Sequence, residues 1–284
     1  MFVIIGIAVV LGSVIGGFLL EGGPIMALMQ WVEFLIIGGT ALGALLIGNP
    51  PANLKKIVAS LFKTMSGVKI NERTYIDLLR LFFELTSVYK KDGVLALESH
   101  IENPRNSAIF KKYPSFLSNA HAVELLCDSL RIVVLGGVPP HELETMIEGS
   151  LETHHEETAR IPSALSKIGD SLPGIGIVAA VLGIVITMQA IGGPPEEIGH
   201  KVGAALVGTF LGILLCYGFI SPLTSNIEIL SDHEARYLHC IKAGVVAIAK
   251  NFSPMVVVEI ARKQIYSDDR PSFGKLDKIL RART

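Results

Sequence analysis

Four stretches of this chain run for about twenty residues with almost no charge, and nothing else in the sequence restricts the fold so much. They are Met1 to Leu20, Met29 to Gly48 with the single acid Glu33 near its start, Leu172 to Ile191, and Val202 to Leu223. A helix rises about 1.5 Å per residue, so each is long enough to cross a hydrocarbon core about 30 Å thick. In lipid only a helix or a closed barrel satisfies its own backbone polar groups, and apolar runs of this length select the helix. Half of the residues are hydrophobic, 18% are charged and the mean hydropathy is +0.51, as expected of a membrane protein. The charges are gathered in blocks that read as aqueous protein.

The expected fold class is therefore all-α: a four-span polytopic membrane protein with a helical cytoplasmic domain between spans two and three and a helical cytoplasmic tail. The divisions are a transmembrane hairpin over residues 1–49, the large block over 50–170, a second hairpin over 171–224, and the tail over 225–284. The first run has no basic leading region and no small-residue cleavage site, so it reads as a retained helix rather than a signal peptide. The connections Glu21 to Leu28 and Gly192 to Lys201 are short and rich in Gly and Pro, which pairs span one with two and three with four. Among the 25 Lys and Arg, Lys201 alone lies outside residues 50–171 and the segment after Pro222. Basic residues stay on the cytoplasmic side, so the block, the tail and, with an even number of spans, the N-terminus are expected there.

Inside the block, Leu78, Leu79, Phe82, Phe83 and Leu85 form an apolar stripe opposite Arg73, Asp77, Arg80 and Glu84, the pattern of a helix with one buried face. A second helix is expected from His141 to about Arg160, introduced by Pro139-Pro140. Beyond Pro222, Asn226 to Lys250 continue helix-compatible until Asn251 and Pro254, so the fourth span is expected to extend into the cytosol. A short charged helix follows Arg270-Pro271-Ser272-Phe273.

A net charge of −1 argues against a nucleic-acid surface. Cys127, Cys216 and Cys240 lack C-x-x-C spacing and are expected to be inert thiols. His141-Glu142 opens an H-E-x-x-H pattern, but Thr145 stands where the second histidine belongs. His154-His155-Glu156-Glu157 are consecutive, so their side chains diverge on a helix. Ser60 and Lys63 satisfy S-x-x-K without its supporting elements, and no glycine-rich phosphate loop is present. No enzymatic chemistry, metal or cofactor is expected.

The spans say more. Small residues recur at four-residue spacing at Gly12 and Gly16, at Gly39 and Gly43, and at Ala204, Gly208 and Gly212, allowing close helix approach within the chain or between chains. Pro173 in Asp170-Ser171-Leu172-Pro173-Gly174 and Pro222 in Ser221-Pro222-Leu223 stand at matching depth and suggest a hinge. Spans three and four hold no Asp, Glu, Lys, Arg or His in their cores. An ion path along them would need a carboxylate from another chain, with hydroxyls such as Thr187 and Thr209 lining it. Glu33 is expected at the membrane interface.

This layout, with Gly169-Asp170-Ser171-Leu172-Pro173, Gly176-Ile177-Val178-Ala179-Ala180, Val207-Gly208-Thr209-Phe210-Leu211-Gly212, Tyr217-Gly218-Phe219-Ile220-Ser221-Pro222, Ile101-Glu102-Asn103-Pro104-Arg105 and Arg270-Pro271-Ser272-Phe273, resembles the MotA family of flagellar stator subunits over nearly the full length. The resemblance implies a homo-pentameric ring in the lipid of the bacterial inner membrane. That ring would surround MotB-like partners whose single span supplies the essential aspartate, and would push on the rotor protein FliG. By position, Pro173 and Pro222 match the family's functional prolines, Ala180 and Thr209 face each other beside the partner's aspartate, and Tyr217 belongs to the ion-path motif. Lys90 and Glu98 match its rotor-facing charges, with lysine where arginine is usual. Sodium-driven relatives carry threonine at both facing positions. Ala180 offers only a methyl group where sodium needs oxygen ligands, so the resemblance implies protons as the translocated ion. An ExbB or TolQ type energy-transducing subunit resembles the last two spans, but has fewer spans and the opposite N-terminal orientation.

Overall fold

A computed structural model describes residues 2–66, 70–189 and 191–281; Met1 and Ala190, expected inside spans, lie outside the described residues. Those residues form helices and no strand. In chain order the helices are α1 (Phe2–Leu20), the short α2 (Ile25–Leu28), α3 (Trp31–Gly48), α4 (Pro51–Ser66), α5 (Glu72–Asp92) and α6 (Val94–Glu102). After a 3₁₀ turn at Phe110–Lys112 come α7 (Pro114–Leu117), α8 (Ala120–Leu135), α9 (Pro140–Gln189) and α10 (Pro195–Ile213). A π-turn at Leu214–Ile220 leads into α11 (Ser221–Ala249), and α12 (Pro254–Arg262) and α13 (Phe273–Arg281) complete the chain. Four helical segments are long and apolar enough to cross a membrane: Phe2–Leu20, Ile25–Gly48, Pro140–Gln189 and Pro195–Ala249.

Two features go beyond the sequence reading. The helix expected over 141–160 and the third span are one 50-residue helix, α9, which continues through Pro162 and Pro173. A proline removes one backbone donor and crowds the carbonyl four residues earlier, but neighbouring helices and local adjustment tolerate this in membrane helices. The fourth span meets its proline differently. Pro222 crowds the carbonyl of Gly218, and the turn that holds Gly218 is the widened π-turn, where the next possible donor lies one residue further on.

The described residues of Met1–Gly67 and Glu157–Leu230 form one compact unit, and those of Val68–Glu156 and Ser231–Thr284 another. The first holds the apolar spans. Its core gathers Ile37, Leu172, Ala179, Val207, Leu211 and Cys216, with a smaller cluster of Ile57, Ala164, Leu165 and Ile227. The helices carrying Gly176 and Gly212 approach so closely that a Cβ on Gly212 would lie 2.5 Å from Leu172 O, and one on Gly176 2.8 Å from Gly208 O. Gly208 and Gly212 thus make their close approach inside the chain, whereas Gly12, Gly16, Gly39 and Gly43 have open space beside them. Burial is uneven: α10 buries Ala205, Val207, Gly208, Leu211 and Gly212, α3 buries Glu33 and Ile37, and α1 buries no residue.

In the second unit α5 buries Leu78, Leu79, Phe82 and Leu85 of the expected stripe, together with Tyr75 and Leu81, and Phe83 is partly buried against the same core. Each such side chain gains about 1.5–3 kcal/mol by leaving water. Asn71 caps the helix by accepting from Thr74 N at 3.2 Å. Gly93, at φ 83°, both ends α5 and starts α6, a backbone conformation open to glycine. Helix α11 lays Gly244 flat against the Phe82 ring, where no Cβ would fit. The tail is tied down by Arg270, which donates to Ile265 O, by Lys275 paired with Glu72 at 2.7 Å, and by buried Leu276 and Leu280. Burial pushes the Cys127 thiol up to about 12 and raises that of Cys240, which suppresses the reactive thiolate.

Candidate functional site

The crossing of α9 and α10 brings two expected residues to one place. A Cβ on Gly176 would touch Gly208 O, the Gly212 Cα at 3.1 Å and the Thr209 Cα at 3.4 Å. A Cβ on Gly208 would lie 3.2 Å from the Ala179 Cβ and 3.3 Å from Ala180 N. Ala180 and Thr209 therefore sit at the same contact, both half-buried, and α9 from Leu172 onward and α10 from Val202 onward add no ionisable side chain. Pro173, half-buried, stands one turn of α9 before this crossing. Pro222 is exposed in the first turn of α11, and the Tyr217 ring is exposed on the π-turn. The Thr187 hydroxyl donates to Gly183 O at 2.8 Å, so its proton is engaged within its own helix.

Glu33, expected at the membrane interface, turns its side chain into the protein: it is 5% exposed, and its Oε2 would lie 2.6 Å from a Cβ on Gly208. The carboxyl is turned onto the same glycine that Ala179 and Ala180 approach. The reason is its face: Glu33 and Ile37 are four residues apart, hence on one side of α3, and both are buried. That spacing was legible in the sequence, as was the Ala204, Gly208, Gly212 stripe whose missing side chains leave room for an acid.

The charges expected at the rotor lie in the other unit. Lys90 is exposed in the last turn of α5, and its Nζ donates to Asn251 O at 2.6 Å and also to Asn251 Oδ1. Asn251, at φ 60°, closes the C-terminal end of α11, where carbonyls lack helical donors and a cation is favoured. Glu98 is half-buried on α6, so the turn at Gly93 separates it from Lys90. Nearby, the hydrogen bond from Lys242 holds the Glu148 carboxyl below its usual range, and burial lowers His239. Among the described residues no three His, Cys, Asp or Glu side chains converge as metal ligands do.

Residues 4–93 match the family described as Motility protein A N-terminal, and residues 117–239 match the MotA/TolQ/ExbB proton channel family. The chain is 38% identical over 282 residues to Motility protein A of Escherichia coli K12, covering 99% of this chain and 96% of that protein. The solved structure of C. jejuni MotAB superposes with a TM-score of 0.79 at 21% identity, over 95% of this chain and 98% of that one. The flagellar MotAB stator complex from Bacillus subtilis gives 0.72 at 23% identity, over 90% and 92%.

Proposed function

The chain belongs to the motility protein A branch of the MotA/TolQ/ExbB proton channel family, and from that premise we propose that it is the stator subunit that turns proton flow into flagellar torque. Identity across 99% of the chain, with residues 4–93 matched as a MotA N-terminal segment, favours this over an ExbB or TolQ type subunit. The observation that carries the mechanism is the α9–α10 crossing, which joins Ala180 and Thr209 without an ionisable group from either helix. Neither of these two helices supplies a carboxylate to carry a proton there, and the aspartate of a single-span, MotB-like partner takes that role.

Several copies of the chain, five in the family's pattern, surround that partner in the lipid of the inner membrane, with both termini and the 50–170 block in the cytoplasm. Each charge that moves through about 100 mV releases about 2.3 kcal/mol, which is the work available per step. Pro173 and Pro222 let α9 and the fourth span flex as the partner's carboxylate changes charge, and Tyr217 lines the path near the π-turn. Lys90 and Glu98 present the charges that a FliG-like rotor protein reads. Ala180 supplies no oxygen to replace the water shell of sodium, so protons are the ion.

The test is purification together with a single-span, MotB-like protein, followed by rotation measurements in cells. Rotation should persist in sodium-free medium and stop when a protonophore collapses the proton gradient. Speed that followed external sodium instead would refute proton drive, and an absent partner would refute the stator reading.

A further inference from the structure

Glu33 is a buried acid for which nothing above provides a use. Its carboxyl rests on Gly208, beside Ala179 and Ala180 and one residue from Thr209, and its Oε2 is buried with no hydrogen-bond partner among the described residues. Burying an unpartnered polar oxygen in an apolar setting is costly, and evolution has cheaper fillers for a glycine notch, such as leucine or methionine. An intramembrane acid is by default a functional group. Its height is informative as well. Trp31, exposed two residues earlier, is the kind of side chain that marks a membrane–water boundary, so Glu33 sits about 3 Å further along the helix, just inside that boundary.

The elements around it bring few competing charges. α1, α2 and the part of α9 from Leu172 to Gln189 carry no titratable side chain. On α10 the titratable groups are Glu196, Glu197, His200 and Lys201 near its start, with Lys201 paired to Glu197 at 2.8 Å; Lys201, the nearest in sequence, is seven residues from Gly208, about 10 Å along the helix.

From this geometry we infer that Glu33 is a proton-binding site at the outer mouth of the ion path, one that loads and unloads in each transport step. The inference rests on the proton-channel reading and adds a second carboxyl to it. The Glu33 carboxylate takes a proton from hydronium at the mouth, leaving water. The O–H bond then breaks as that proton passes inward, directly or through water, to the carboxylate supplied by the partner. Glu33 is left ionised again and one proton has advanced. The site gives a use to an acid held against Gly208, at the helix crossing that also carries Ala180 and Thr209.

The experiment compares wild type, Glu33→Gln and Glu33→Asp, each produced with its partner, by copurification, rotation speed across a range of external pH, and response to a protonophore. Glutamine keeps the shape and the hydrogen-bonding capacity but cannot carry the proton. Glu33→Gln should assemble, rotate several-fold more slowly and lose the wild-type dependence on external pH, whereas Glu33→Asp should restore most of the speed with a shifted pH profile. A Glu33→Gln variant that matches wild type, or is slowed equally at every pH, would show a filler or a structural group and overturn the inference. Should Glu33→Gln fail to copurify, the aspartate variant decides: a shifted pH profile supports the site and an unshifted one removes it. The channel reading fails separately, in the wild type, if a protonophore leaves rotation intact, and the Glu33 site falls with it.

Discussion

Asn251 is the one described residue other than glycine with a positive φ, and Lys90 holds both its backbone and its side-chain oxygen. Asparagine enters this left-handed region at low cost, whereas a β-branched side chain there is strained. Asn251→Val should therefore lower the stability of the cytoplasmic unit by about 1–2 kcal/mol, while Asn251→Gly costs much less. Thermal unfolding of the purified complex checks this, and equal effects from the two substitutions would remove the backbone argument. The Lys90 contact spans 161 positions, which explains its absence from the sequence reading. Helical periodicity relates residues three or four apart and is blind to a partner so distant. The resemblance marks Lys90 as a charge expected at the rotor, but nothing in the sequence marks it as a cation that closes the end of another helix. Glu33 is a different case: the apolar run around it fixes its depth, whereas its face follows only from its four-residue spacing to Ile37.

Among the helices, the sequence reading placed the apolar spans well, because long runs without charge leave little alternative. It did less well with proline. The run from Pro140 to Gln189 is one helix despite Pro162 and Pro173, since a lost donor is only a local cost when neighbours and lipid hold the rest in place. The π-turn before Pro222 left no mark in the residue pattern, because widening a turn needs no particular side chain. Glycine separates the two kinds of position on α9. Gly149→Ala, with open space around it, should stabilise by about 0.5–1 kcal/mol through helix propensity. Gly176→Ala, or Gly212→Ala across the crossing, would drive a methyl group against backbone atoms and should cost about 1–3 kcal/mol or more. Melting of the purified complex and rotation speed measure both effects, and a neutral Gly176→Ala would mean that the α9–α10 approach is looser than described.

For the molecule as a whole, the placement of Lys and Arg predicts that Glu21 faces outward and Lys91 inward. A cysteine at Glu21 should react with an impermeant thiol reagent in intact cells, and one at Lys91 only after lysis. The native Cys127, Cys216 and Cys240 are all buried, so the background is low. Labelling of Lys91→Cys from outside would invert the topology. The uneven burial of the spans bears on how the molecule is made. Because α1 touches α2, α4 and the π-turn but fully buries no residue against its own chain, the lipid supports it more than its neighbours do. It should enter the bilayer as soon as the ribosome releases it and drift there as an independent rod, committed to a depth but not yet to an azimuth. Its orientation about its own axis would be settled late in biogenesis, when other subunits arrive to choose it.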